Sequence, residues 1–173
     1  MTAAYYSRGI VMTKTWERLV IFLLKRIALI TAIFIMLMFA YTTGYNLSNI
    51  YVVVNEALDR QVEAVLDKSS DDELDKYFTA NYIENEFSQL KKQYESIEIA
   101  SYKHYLKVNL NIPNPLTKET YVKVQDMVTN ITLVKHQDSG DTSKTVVPKW
   151  DNSEKLLRLV FVDGRWKIDG VVK

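Results

Sequence analysis

The 173-residue chain contains no cysteine, and it has only five glycines, three prolines and two histidines. Without cysteine it can form no disulfide, no thiolate nucleophile and no thiolate-bound zinc or iron–sulfur centre. The few glycines form neither a G-x-S-x-G turn around a serine nor a glycine-rich loop that cradles phosphate. We therefore expect a domain that is stabilised by its hydrophobic core alone and that carries no cofactor.

The two histidines, His104 and His136, are also too few and too badly spaced for a common metal site. Neither belongs to an H-x-H or an H-E-x-x-H pattern. We therefore expect no metal.

Charge is small in sum but unevenly distributed. The formal net charge is +1. The first 26 residues are basic, because they contain five basic residues and only one acidic residue, Glu17. The basic residues are Arg8, Lys14, Arg18, Lys25 and Arg26. The remainder of the chain is therefore mildly acidic. Phosphate binding requires a concentrated basic face, so we expect no nucleic-acid partner.

The longest uncharged stretch runs from Ile27 to Tyr45. At 1.5 Å per residue, a helix of this length covers about 28 Å, close to the ~30 Å hydrocarbon core of a bilayer. We interpret residues 27–45 as one transmembrane helix in the cell membrane. Basic residues precede it and none follows before Arg60, which places the N-terminus in the cytoplasm and residues 46–173 outside.

Two alternatives to this boundary stay open. A cleaved signal peptide normally has a shorter apolar region and a small-x-small cleavage site, and neither feature is present here. Residues 1–26 are interpreted as a cytoplasmic tail and an interfacial segment anchored by Trp16. A longer, tilted span that begins at Leu19, with Lys25 and Arg26 reaching the headgroups, is the second possibility.

Residues 46–67 have helical periodicity, with apolar side chains spaced by three and four. These are Leu47, Tyr51, Val54, Leu58 and Val65. The segment is interpreted as the first helix of the domain, packed on a sheet. A short coiled-coil stalk that dimerises the protein is the alternative, and it makes Tyr51, Val54 and Leu58 candidates for interaction.

Residues 69–94 predict two short helices. Ser70 and Glu73 have the spacing of a capping box at the start of the first. The second follows a turn at 79–82, and its shared apolar face consists of Tyr82, Ile83, Phe87 and Leu90.

From residue 94 the period changes to two, which predicts strands. The first covers about 100–112, and the second runs from about Thr120 to His136. The alternation of the second slips, because Val122, Val124 and Val128 lie on one parity and Met127, Ile131 and Leu133 on the other. The slip predicts a β-bulge and a bent sheet, and it leaves the direction of Asp126 open. Two further strands flank Asp163-Gly164, the sequence of a two-residue type I′ hairpin turn. The predicted class is α+β: one N-terminal transmembrane helix, then helices packed on a bent antiparallel sheet of about four strands.

The closing segment 157–168, LRLVFVDGRWKI, joins two strands through Asp163-Gly164 and places Trp166 in the last. This hairpin and the order of helices before strands resemble the nuclear-transport-factor-2-like (cystatin-like) superfamily of cone-shaped domains. With the anchor, the chain resembles the bitopic assembly subunit of type IV secretion and conjugation systems, and small Gram-positive envelope and sporulation proteins. The resemblance implies an α+β cone that hosts enzymes, scaffolds or binding modules.

Enzymes of this fold place an acid and a Tyr or His donor inside the cone. The corresponding pocket candidates are Tyr102, His104, Asp126 and Trp166. Tyr105, on the opposite parity of its strand, is a further interaction candidate, because exposed tyrosine suits protein contacts.

The sequence favours a non-catalytic single-pass membrane protein whose outer domain assembles with membrane or envelope proteins and can form a homo-oligomer. A small-molecule-binding or enzymatic cone that uses Tyr102 and His104 is the first alternative. A membrane-anchored regulatory protein that acts through its short cytoplasmic segment is the second.

Overall fold

The structure is a computed structural model that describes residues 3–112, 114, 117–134 and 147–172, with residues 3–15 described by their backbone alone. The chain divides into two units, Met1–Thr42 and Thr43–Lys173. His136, the end of the second predicted strand, and the polar residues 137–141 that follow it lie outside the described residues.

Helix α1 extends from Ala3 to Leu66. It is long and apolar enough to cross a membrane. The large apolar side chains from Leu19 to Met38 are all exposed, as lipid-facing side chains are. The hydroxyl of Thr31 donates to the carbonyl of Ile27 at 2.9 Å, so its polar group is satisfied within the helix.

The helix does not break at the predicted boundary between the interfacial segment and the span. Residues 16–45 are helical throughout. The guanidinium of Arg26 lies 5.0 Å from the ring centroid of Phe22, a cation–π contact along the same helix. The helix is therefore continuous from Ala3 through both predicted segments.

The part of α1 that follows residue 46 belongs to the core of the second unit. Ile50, Val54, Leu58, Val62 and Val65 are buried in one cluster with the sheet residues. Their spacing of three and four residues puts them on one face of the helix. The structure therefore shows the first of the two predicted alternatives, a helix packed within its own domain.

The capping box predicted at Ser70 and Glu73 is wrong. The Ser70 hydroxyl accepts the backbone N–H of Asp72 at 3.2 Å, and the Glu73 carboxylate accepts from the Lys76 ammonium at 2.6 Å. Only a single 3₁₀ turn, Leu74–Lys76, forms here, so there is no helix for the box to cap.

The second predicted helical segment is confirmed. It comprises α2 (Ala80–Tyr82), a π-helical turn (Ile83–Phe87) and α3 (Ser88–Tyr94). The Thr79 hydroxyl caps it by accepting the backbone N–H of Tyr82 at 3.3 Å.

Four strands form one open antiparallel sheet in the order β1-β2-β3-β4. They are β1 (Ile99–Leu110), β2 (Glu119–Leu133), β3 (Glu154–Val162) and β4 (Arg165–Val172). The outer edge of β4 is covered, because Phe78 forms a parallel bridge with Ile168. Among the described residues, β1 pairs with β2 alone.

The predicted α+β class, the bulge and the hairpin turn are confirmed. The β1–β2 register shifts on both sides of Ser101, and Asn130 in β2 has φ +56°. Asparagine tolerates this left-handed conformation better than a branched residue does. Asp163 and Gly164 have φ values of +52° and +78°, as a type I′ turn requires.

Candidate functional site

A chain of hydrogen bonds crosses the helix-facing side of the sheet and is centred on His104. Its Nε2 lies 2.7 Å from Oδ1 of Asp126 on β2, and its Nδ1 lies 3.0 Å from Oδ1 of Asp59 on α1. The other oxygen of Asp126 accepts the indole N–H of Trp150 at 3.2 Å. His104 and Asp126, two of the predicted pocket residues, therefore meet directly.

The two carboxylates differ in environment. Asp126 is 3% exposed, whereas the Asp59 side chain is 51% exposed. A buried carboxylate is stable only if it is hydrogen-bonded and paired, and Asp126 has a partner on each oxygen. Asp126 is thus the buried carboxylate of the chain of bonds, and Asp59 is the solvent-exposed one.

Sequence reasoning missed Trp150, which lies in the short segment before the third strand. The residue is buried, and its ring lies 5.7 Å from that of Tyr94 on α3. Its position just before β3 brings the indole N–H to Asp126. A tryptophan within a short polar connector is the signal that was available, since a buried indole N–H requires an acceptor.

The pKa of His104 is raised above its ordinary value of 6.5. The hydrogen bond with Asp126 is the largest cause, burial opposes it, and attraction by both carboxylates adds to the rise. Both ring nitrogens are engaged by carboxylate oxygens, so the site favours an imidazolium. An imidazolium held in this way fixes α1 to the sheet and has no free nitrogen for proton transfer.

The raised pKa of His104 predicts that stability falls in alkaline solution. The imidazolium is favoured by folding, so its contribution is complete below pH 6.5 and is lost as the pH rises through the higher pKa of the folded state. Urea unfolding of the full chain, followed by tryptophan fluorescence between pH 6 and pH 9, should show this decline. His104→Gln should remove it and His136→Gln should keep it; the opposite pattern would assign the decline to the other histidine.

Tyr102, the third predicted pocket residue, does not join this group. Its hydroxyl donates to Oδ2 of Asp67 at 2.8 Å, beyond the end of α1. Burial first, and then the bond to Asp67, raises the pKa of Tyr102. The tyrosine therefore stays protonated and acts as a second connection between β1 and the end of the helix.

Trp166, the fourth candidate, is a core residue of the hairpin. It is buried, and its ring meets that of Phe161 edge to face with centroids 5.3 Å apart. Its indole N–H has no hydrogen-bond partner among the described residues. Of the four predicted pocket residues, the structure therefore brings only His104 and Asp126 together.

A cavity of about 340 Å³ lies between the helices and the sheet. Its polar inner wall includes Gln61, Tyr82 and Asp126, and its apolar wall includes Leu58, Leu90, Val124, Leu157 and Val171. The charged side chains at its mouth are Glu86, Asp151, Glu154 and Lys155. Tyr102, His104 and Trp166 do not line it, so His104 reaches the cavity only through Asp126.

Gln61 and Tyr82 are further residues that sequence reasoning missed as site residues. The Tyr82 hydroxyl donates to the Gln61 Oε1 at 2.9 Å, and both side chains are buried. Burial raises the pKa of Tyr82, and the nearby Glu86 carboxylate adds to the rise. Gln61 is a polar residue on the otherwise apolar face of its helix, and this is the signal that the sequence offers.

The predicted interaction candidates separate into two groups. Val54 and Leu58 are buried in the core, so they form no exposed contact surface in this structure. Tyr51 and Tyr105 are exposed at 47% and 52%. Only these two remain accessible to a partner.

The side of the sheet that faces away from the helices has a basic and aromatic half. Directly opposed residues of antiparallel strands share a face, so Tyr105 and its partner Met127 lie between Lys103 and Lys107. Lys123 lies on the same face, opposite Asn109. We call the set Lys103, Tyr105, Lys107, Lys123 and Met127 the β1–β2 outer face.

No group of three or more side chains able to hold a metal ion occurs in the described part of the chain. Comparison with protein families, with curated proteins and with solved structures finds no match to this chain.

Proposed function

We propose that this chain is a non-catalytic, single-pass membrane protein whose domain 46–173 lies outside the cell membrane and assembles with other proteins of a bacterial envelope complex. The exposed apolar helix supports attachment to the bilayer. A span also raises the effective concentration of the domain for other membrane-bound partners. The order of helices before an antiparallel meander is compatible with the nuclear-transport-factor-2-like resemblance.

The observation that carries the proposal is the β1–β2 outer face. Tyr105 is half exposed at its centre, and Lys103 and Lys107 beside it form no ion pair among the described residues. Lys123 has only a 3.6 Å contact with Glu154. Tyrosine and methionine beside lysines, two of which have no ion pair among the described residues, suit a protein partner with an acidic surface.

The charges of the domain are segregated, which strengthens this interpretation. The helix side carries Glu56, Asp59, Glu63 and Asp67 on α1, with Arg60 as the only base between them. The outer face of β1 and β2 carries lysines instead. An acidic partner is therefore attracted to one side of the domain and repelled by the other, which fixes its orientation.

The chain of bonds around His104 supports a non-catalytic domain. A general base must reach its substrate through a free lone pair. The imidazole is bonded on both nitrogens, and it does not line the cavity.

A photo-cross-linking experiment tests the proposal. With p-benzoylphenylalanine in place of Tyr105, we expect a discrete cross-linked product in intact cells; the same probe at the exposed Lys92 on α3 should give none. Reversing both charges, Lys103→Glu with Lys107→Glu, should reduce the product by about tenfold, since close charge pairs at an interface contribute at least this much.

The matched control is Lys92→Glu, which changes the charge away from the outer face and should leave the product unchanged. Equal cross-linking from Tyr105 and Lys92, or a product that survives charge reversal, would contradict the proposal. A product that consists of two copies of this chain would show that the outer face mediates self-association and not contact with an envelope partner.

A further inference from the structure

We propose that the cavity between the helices and the sheet binds a small organic cation that carries a hydrogen-bond acceptor near its ammonium group. The proposal concerns a different surface from the β1–β2 outer face, and it holds whether or not that face binds a partner. Its basis is a set of polar groups that the fold brings to one cavity: a carboxylate without a cation, and an amide N–H without an acceptor.

Glu86 is the first of these groups. It lies at the cavity mouth, half buried, and it has no hydrogen bond or ion pair among the described residues. The other acids at the mouth have partners: Asp151 lies 3.4 Å from Lys155, and Glu154 lies 3.6 Å from Lys123. A bound cation gives this carboxylate the charged partner that the described part of the protein does not provide.

Gln61 is the second group, and it is independent of the first. Its side chain is on the inner wall and only 6% exposed. Its amide oxygen accepts from Tyr82, but its amide nitrogen has no acceptor among the described residues. This N–H group is free to donate, and an oxygen of a ligand in the cavity accepts it.

The rest of the wall sets the size and character of the ligand. Leu58, Leu90 and Leu157 offer an apolar surface for a short aliphatic body. A volume of about 340 Å³ is at the small end of ligand sites, so the compound must be small. Asp126 is already bonded to His104 and Trp150, which leaves Glu86 as the carboxylate for the ammonium.

Three small molecules that differ by one group each test these assignments. Leucinamide has an ammonium group, a carbonyl acceptor and an isobutyl body. 4-Methylpentanamide lacks only the ammonium, and 3-methylbutylamine lacks only the carboxamide. Saturation-transfer NMR on the full chain in lipid nanodiscs, with empty nanodiscs as reference, should show millimolar binding of leucinamide. Each of the two analogues should bind about tenfold more weakly, as expected for the loss of one hydrogen bond to a charged or buried group.

Protein variants test whether Glu86 is the carboxylate that binds the ammonium group. Glu86→Gln should weaken leucinamide binding about tenfold and leave the binding of 4-methylpentanamide unchanged. The control is Glu84→Gln, which removes an exposed charge from the same helical segment and should change neither. Equal weakening by both variants would show unspecific attraction and overturn the site, as would equal binding of leucinamide and 4-methylpentanamide. Equal binding of 3-methylbutylamine and leucinamide would overturn the role of Gln61.

Discussion

Replacing Asp126 by alanine is expected to lower the free energy of unfolding by about 3–5 kcal/mol, the range found when one partner of a buried ion pair is removed. The substitution leaves His104 without its 2.7 Å partner and the buried Trp150 indole N–H without an acceptor. Both losses occur on the inner side of the sheet, where the Asp126 side chain is buried. The measurement is urea unfolding of the full chain in detergent, followed by tryptophan fluorescence.

Asp59→Ala is the matched control, because it removes a carboxylate from the same imidazole. The Asp59 side chain is 51% exposed, so its loss should cost less than about 1 kcal/mol. Asp126→Asn keeps the shape of the side chain and should fall between the two. Similar losses for Asp59→Ala and Asp126→Ala would mean that burial of Asp126 does not govern the strength of the chain of bonds.

The backbone features that the sequence predicted depend on local pattern. Alternation identified the strands, and the slip of parity within the second strand predicted a bulge, which the structure places at Asn130. The turn at Asp163 and Gly164 follows from two residues that tolerate positive φ. Each of these signals is contained within about ten residues, so tertiary contacts were not needed to interpret it.

The side-chain site depends on contacts that local pattern does not contain. Asp59, His104, Asp126 and Trp150 come from four separate segments, and only the fold decides that they meet. The phase slip in β2 left the direction of Asp126 ambiguous. The bulge lies after Val128, so Asp126 keeps the inward parity of Val122 and Val124.

One sequence signal pointed to the wrong structure, and a second left two structures open. The spacing of Ser70 and Glu73 satisfies a capping box, but the segment is too short for a helix and Glu73 pairs with Lys76. The face containing Val54 and Leu58 suits a coiled coil and a core helix equally. The sheet provides a partner within the chain, and the face is buried there.

The predicted orientation of the transmembrane helix gives the second large expected effect. Labelling of an introduced cysteine in intact cells should be either nearly complete or nearly absent, depending on its side of the membrane. The chain has no cysteine, so a single introduced cysteine carries the only thiol. A membrane-impermeant maleimide should label Lys92→Cys in intact bacterial cells, because that residue is exposed and belongs to the domain that we place outside. Ser7→Cys precedes the span and should be labelled only after the membrane is permeabilised.

Charge exchange tests the cause of this orientation. Changing Arg18, Lys25 and Arg26 to glutamate and Asn46 and Ser48 to lysine moves the positive charge to the other end of the span. Because basic flanks are retained in the cytoplasm, a large fraction of the molecules should then expose Ser7→Cys and protect Lys92→Cys. Labelling of Lys92→Cys only after lysis in the unexchanged protein would place the domain inside. It would also remove the envelope partner from the proposed function, while the cation site, which depends on Glu86 and Gln61 alone, would remain testable.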